Sequence, residues 1–286
     1  MTVHQQAFFH EPTFTVTYLV WDEATMAAAV IDPVLDYAPA SAKVSTGFAD
    51  RVLAAVRDLG LDLRYVLETH AHADHLSAAE HFRRATGAKV VIGEHIGEVQ
   101  AHFAALFEAD DVVPDGSAFG RLVADGEVID LGETPIRVLH TPGHTAACVT
   151  YLIGDAAYVG DTLFMPDYGT ARTDFPGGDA HALYRSIRRI LDLPPETRVY
   201  VGHDYLPEGR TSFVWETTVA EERARNVHIR DGVSEADFVA LRERRDATLA
   251  PPALILPSLQ VNIRAGALPP ASSNGRVFLK LPVTVA

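Results

Sequence analysis

Apolar positions recur along this chain in two rhythms, and each rhythm predicts a different element. Residues 13–20 alternate at period two and predict a strand, while the short apolar run at 27–31 predicts another, ending at Asp32-Pro33. Helical spacing over 48–59 stops at Gly60, where a glycine can end a helix. Further strands are expected at 64–67, 89–92, 126–132, 136–139, 147–153, 156–159 and 198–201. Further helices are expected at 76–82, 95–107, 179–191, 214–225 and 234–249. Gly154-Asp155 joins two of the strands into an antiparallel hairpin, so the order favours an α/β sandwich over a strictly alternating wound sheet. No internal repeat or low-complexity stretch interrupts it. Beyond Ala250 the prolines at 251, 252, 257, 269 and 270 break helical periodicity, yet Leu254, Ile255, Leu256, Val261 and Ile263 stay apolar. The expectation is one main domain over 1–250 and an extended tail over 251–286, lying on the body or on a partner subunit.

Between the strand at 64–67 and the helix at 76–82 lies Thr69-His70-Ala71-His72-Ala73-Asp74-His75. Four metal-capable side chains in six positions are hard to explain as core or as solvated surface. A helix cap at Asp74 would account for one of them, not four. A strand-to-helix loop lets several ligands converge while rigid elements hold them. Three later positions repeat the grammar of a strand, a glycine and a metal-capable residue: Gly143-His144, Gly160-Asp161 and Gly202-His203. Each alone reads more readily as a turn or a structural histidine than as a ligand; together, in this order, they form a metal-ligand series. His81, His95, His102, His140, His181 and His228 lack this context and read as surface or packing residues.

Composition narrows the setting. The chain of 286 residues is 48% hydrophobic and 22% charged, as in ordinary globular domains. No stretch approaches the roughly 20 apolar residues of a membrane span, so no membrane partner is expected. Residues 1–12 lack the basic-then-apolar layout of a secretory signal. The single cysteine, Cys148, excludes an internal disulfide framework and a cysteine zinc cluster. These features favour a cytoplasmic location. A formal net charge of −14 argues against nucleic acid and requires that any anionic substrate be captured by a few local cations.

In order, His70-x-His72-x-Asp74-His75, His144, Asp161 and His203 resemble the five motifs of the metallo-β-lactamase superfamily, over roughly residues 14–205. The resemblance implies an αββα sandwich with the metal site at one edge between the sheets. Residues 144–151, Arg172-Thr173-Asp174-Phe175 and His203-Asp204-Tyr205 are similar to the persulfide dioxygenase branch, whose members convert glutathione persulfide, O₂ and water to sulfite and glutathione. Thr170-Ala171 stands where part of that branch has Cys-Gly, so a second thiol near the site is absent.

The branch resemblance implies one Fe(II) on His70, His144 and Asp161, a two-histidine, one-carboxylate face with open positions. His72, Asp74, His75 and His203 would then orient the ligands and handle protons. The same residues suit a glyoxalase II-type thioester hydrolase, with two Zn²⁺ ions bridged by Asp161. Ligand count leaves that alternative open, and a metal-binding sensor or scaffold without turnover is a third. Arg172 is the candidate clamp for a substrate carboxylate, against an ion pair with Asp174. Tyr205 either offers its hydroxyl to substrate or packs beside His203. Cys148 reads as a small buried hydrophobe. A homodimer is expected.

Overall fold

The computed structural model describes residues 2–284. Its elements run β1 (Val3–His10), β2 (Thr15–Asp22), β3 (Ala27–Ile31), β4 (Val34–Ala38), β5 (Lys43–Ser45), α1 (Gly47–Asp58), β6 (Asp62–Leu67), β7 (Leu76–Ser77), α2 (Ala79–Thr86), β8 (Lys89–Gly93) and α3 (Ile96–Phe107). They continue with β9 (Arg121–Val123), β10 (Val128–Leu131), β11 (Thr134–His140), β12 (Val149–Ile153), β13 (Ala156–Tyr158), α4 (Ala180–Leu191), β14 (Arg198–Tyr200), β15 (Glu216–Thr218), α5 (Val219–Arg225), α6 (Glu235–Asp246) and α7 (Ile255–Asn262).

Two six-stranded sheets result, ordered β1-β2-β3-β6-β8-β9 and β10-β11-β12-β13-β14-β15, with a small β5-β4-β7 sheet beside them. Three apolar clusters define the layers. One packs the outer face of the first sheet against α1, α2, α3 and α7 through Val52, Phe82, Phe103 and Leu259. A second fills the space between the sheets, where Tyr18, Tyr158 and Tyr200 meet at ring distances of 5.2 to 5.5 Å. The third packs the second sheet against α4 and α6 through Leu183, Ile187 and Phe238. The expected αββα sandwich is therefore present. Strand β3 illustrates the cause: all five residues are buried because both faces are covered, so it reads as a continuous apolar run.

Local signals explain most boundaries. Asp179 caps α4 by accepting from the His181 and Ala182 amides, and Ser234 caps α6 by accepting from Asp237 N–H. Elsewhere the structure departs from the pattern. Asp74 caps nothing; α2 starts at Ala79, whose amide donates to Ser77 Oγ, while Leu76 and Ser77 pair with Leu35 and Val34. The expected helix over 214–225 opens as a strand, because Glu216, Thr217 and Thr218 pair with β14, and only then does Thr218 cap α5. Strands β1, β4, β5 and β9 escaped the pattern; β1 is an edge strand, paired on one side alone.

The tail is the largest correction. It is not extended throughout: residues 255–262 form α7 despite Pro257. That proline sits in the first turn, where a backbone N–H has no helical acceptor to lose. Leu259, Val261 and Ile263 are buried in the first-sheet cluster.

One buried carboxyl offers a test of the packing around α5. Glu222 is fully buried, with only the Asn226 amide donating to it, and burial pushes its carboxyl up to about 8. A raised folded-state value means stability is intact below the ordinary carboxyl range and falls as pH rises toward about 8. Glu222→Gln should leave the melting temperature near wild type at about pH 5 and raise it by several degrees at about pH 9. Calorimetry across that range checks this, and parallel curves for the two proteins would refute it.

Candidate metal centre

The histidine-rich loop leaves the carboxyl end of β6, and the loops after β11, β13 and β14 reach the same edge of the sandwich. They bring His70, His72, Asp74, His75, His144, Asp161 and His203 together, all buried except the partly exposed Asp74. Two of the glycines are sterically required. Gly143 has φ +134°, and a Cβ there would lie 2.3 Å from the Leu183 amide of α4. Gly160 has φ +51°, and its Cβ would meet Thr69 Oγ1 at 2.3 Å.

An acceptor behind each ring fixes which nitrogen faces the centre. Thr69 Oγ1 spends its proton on Asp32 Oδ2 at 2.8 Å, so it accepts from His70 Nδ1 at 3.0 Å and leaves Nε2 with a free lone pair. His144 Nδ1 donates to the Arg172 carbonyl at 2.9 Å, again freeing Nε2. His72 is turned the other way: Nε2 donates toward Asp32 (3.1 Å) and Glu68 (3.2 Å), so Nδ1 faces inward. His75 Nδ1 lies 3.2 Å from Asp74 Oδ2, freeing Nε2. Such outer partners set tautomer and ring orientation for metal binding.

Electrostatics agrees. Burial, with the nearby His72 and His144, holds His70 well below its ordinary value, and burial pulls His75 down to about 4. Both rings are therefore neutral and able to ligate. Burial opposes charge on His72 too, but Asp32 and Glu68 outweigh it and raise that ring well above its usual value. Asp32 does this from a left-handed backbone conformation, φ +49°, while also accepting from the Thr69 amide at 2.7 Å.

The free atoms form two clusters, each within 4.8 Å: His70, His144 and Asp161, and His72, Asp74, His75 and His203. Asp161 stands between them, with Oδ2 4.0 Å from His70 Nε2 and 3.8 Å from His144 Nε2, and Oδ1 3.3 Å from His203 Nε2. His70 Nε2, His72 Nδ1, His75 Nε2, Asp161 Oδ1 and both ring nitrogens of His203 are buried without a hydrogen-bond partner. Leaving that many polar atoms unsatisfied is costly, and divalent cations ligated by nitrogen and oxygen would satisfy all of them except one His203 nitrogen. The residues fit a metal.

Sequence reasoning missed what braces the loop. Asn262, at the end of α7, donates to the carbonyls of His72 (2.7 Å) and His75 (2.8 Å), and its Oδ1 accepts from Ser77 N–H at 2.8 Å. Ser77 Oγ in turn donates to Glu68. Nothing local marks Asp32, Glu68 or Asn262, since each acts across the fold.

The centre opens into a cavity of about 370 Å³ walled by Phe14, Phe164, Tyr168, Phe175 and Tyr205. Tyr205 stacks on His203 at 5.4 Å and 11°, and burial keeps its phenol protonated. Arg172 lines the cavity, but its guanidinium is paired with Asp174 by two contacts of 2.6 Å and donates to the Ala250 carbonyl at 2.7 Å. The Asp174 ion pair weighed from the sequence is thus formed. Cys148 is buried, its thiol pushed up to about 12 by burial, which suits packing. His228 is also buried and accepts from the Thr170 amide. His81, His95 and His181 pair with acidic neighbours away from the centre.

A two-sheet sandwich with imidazole and carboxylate clusters at its strand ends defines a metal-binding enzyme class. The model described as the metallo-beta-lactamase superfamily matches residues 10–203, and the chain belongs to that superfamily. It is 52% identical to a probable metallo-hydrolase of Burkholderia pseudomallei over 99% of both chains. It is 46% identical to glyoxylase B2 of Dictyostelium discoideum, over 93% of this chain and 91% of that protein. Identity to human mitochondrial persulfide dioxygenase ETHE1 is 31%, over 92% and 89%. The crystal structure of ETHE1 from Myxococcus xanthus superposes with TM-score 0.75 at 34% identity, over 92% of this chain and all of that one. The chain spans 65% of the length of beta-lactamase hydrolase-like proteins from Xylella fastidiosa and Agrobacterium fabrum.

If Asn262 holds the ligand loop, Asn262→Ala should weaken metal binding about 10- to 100-fold while the protein stays folded. Competition with a chelator, beside circular dichroism of the same samples, measures both; unchanged metal affinity would refute the role.

Proposed function

We propose that the protein is a persulfide dioxygenase, oxidising glutathione persulfide or a similar small persulfide with O₂ to sulfite and the thiol. The observation that carries this reading is the two-histidine, one-carboxylate cluster His70, His144 and Asp161 at the floor of an aromatic cavity. Relatives and a solved structure named as ETHE1, with the Arg172–Phe175 segment, support the branch. A single Fe(II) is the metal such a face suits, and when bound it supplies the redox chemistry toward O₂ and sulfur. His70, His144 and Asp161 would hold it.

The chain's other residues manage substrate and protons. One persulfide, one O₂ and one water give one thiol, one sulfite and two protons, so the site must accept protons as well as hold sulfur. Asp74 Oδ2, 3.2 Å from His75 Nδ1 and 3.4 Å from His203 Nε2, offers a relay toward solvent. Tyr205, protonated and stacked on His203, can donate a hydrogen bond to the substrate. Phe14, Phe164 and Phe175 keep bulk water from the sulfur. A soluble cytoplasmic homodimer completes the proposal; among the described residues no helix is long and apolar enough to cross a membrane.

A second reading has its own support. His72, Asp74, His75 and His203 form a further complete cluster, and relatives named as a metallo-hydrolase and a glyoxylase share more identity. Two zinc ions bridged by Asp161 would then serve glutathione thioester hydrolysis. Protein purified without oxygen decides between them. The expectation is about one iron per chain and O₂ uptake on addition of glutathione persulfide, whereas two zinc ions with thioester cleavage and no O₂ uptake would sink the dioxygenase reading.

A further inference from the structure

Among the described residues, every charged side chain lining the cavity is ion-paired or belongs to a metal cluster except one. Asp74 and Asp161 belong to the metal clusters. Arg172 is paired with Asp174. Arg242, fully buried, is paired with Asp246 and donates to the Thr170 carbonyl at 2.9 Å. Arg245 lies one helical turn beyond Arg242 on α6, is exposed, lines the cavity, and among the described residues has no carboxylate within 4.0 Å. Its position is fixed by its neighbour, since Arg242 and Asp246 anchor the end of α6 against the loop at 170–173 through Thr170 and Thr173.

We propose that Arg245 is the anion subsite of the cavity, binding a carboxylate of the substrate at the end remote from the metal. This rests on the reading of the cavity as a site for glutathione conjugates. The wall between the two ends is continuous: His203 stacks on Tyr205 at 5.4 Å, Tyr205 packs on Tyr168 at 5.0 Å, and Tyr168 neighbours Arg245. Glutathione carries its sulfur on the middle residue, so a terminal carboxylate lies about one extended residue plus a side chain from a persulfide sulfur, roughly 7–10 Å, a span comparable to the two ring-to-ring steps. A sulfur at the centre therefore leaves a terminal carboxylate beside the guanidinium, which takes it as a fork. The need for such a group is set by charge: at a net −14 the protein repels an anionic substrate unless a local cation offsets the field. Arg172 and Arg242, already neutralised, hold the wall and leave this task to Arg245. Substrates carrying a carboxylate distant from sulfur are thereby selected over small neutral ones. The competing role for Arg245 is a solvated cation in the last turn of α6, favourable to the helix dipole and blind to ligand.

Calorimetry with S-methylglutathione and its dimethyl ester on metal-loaded protein separates the two. Wild type should bind the acid about 10- to 100-fold more tightly than the ester, and Arg245→Gln should lose that factor for the acid and nothing for the ester. Arg245→Lys should recover part of it. With glutathione persulfide the loss should fall on KM, with kcat and metal content unchanged. Equal affinity of wild type and Arg245→Gln for the acid, or equal losses for acid and ester, would overturn the assignment. Binding that behaves as expected without O₂ uptake would leave the subsite standing and refute the dioxygenase reading alone.

Discussion

Burying six ring or carboxylate atoms with no hydrogen-bond partner is the constraint around which the rest of the molecule is arranged. Each would cost on the order of 1–3 kcal/mol if left unsatisfied in the interior, and cations among them would remove most of that cost. The rings do not choose that orientation themselves. His70, His72, His75 and His144 are each turned by an acceptor on the far side: Thr69, the Asp32–Glu68 pair, Asp74 and the Arg172 carbonyl. Asp32 alone receives three donors, which explains why a buried aspartate tolerates a left-handed backbone there.

The same constraint reaches the two ends of the second half of the chain. The Arg172 carbonyl can hold His144 only while the 170–175 loop stays in place, and that loop is secured by Arg242, Asp246 and the Asp174 pair. The ligand loop stays closed because Asn262 bonds two of its carbonyls, and Gly266 then passes so near that a Cβ would lie 2.9 Å from the Ser77 carbonyl. Helices α6 and α7 are thus structural parts of the metal centre, although neither carries a ligand.

This division decides what the sequence could reveal. Candidate ligands announce themselves because each needs a scarce residue type at a strand end, often after a glycine, as in Gly143-His144 and Gly160-Asp161. Buried strands such as β3 announce themselves through unbroken apolar runs. The bracing residues carry no such mark: Asp32 looks like a turn before Pro33, and Asn262 lies in a proline-rich stretch more than 180 positions from the loop it holds. Pro257 concealed α7 because a proline in a first turn is indistinguishable, in sequence, from one that forbids a helix. Strand β15 was hidden for a related reason, since three residues that join a sheet edge run straight into a helix with compatible spacing.

Charge pairing, more than charge identity, then separates scaffold from recognition in the cavity. Arg172 attracts attention because it sits in a motif, yet Asp174 at 2.6 Å already answers its charge, and a paired guanidinium has less to gain from an incoming carboxylate. The same logic applies to the metals. His72 is drawn outward by two carboxylates at Nε2 yet keeps Nδ1 free, and Asp161 directs one oxygen to each cluster. The polypeptide therefore offers side chains that could ligate either one metal or two. The two readings differ in whether the second cluster holds an ion, and His72 bears on that: the carboxylates that favour its charged form also make proton and metal compete for the same nitrogen.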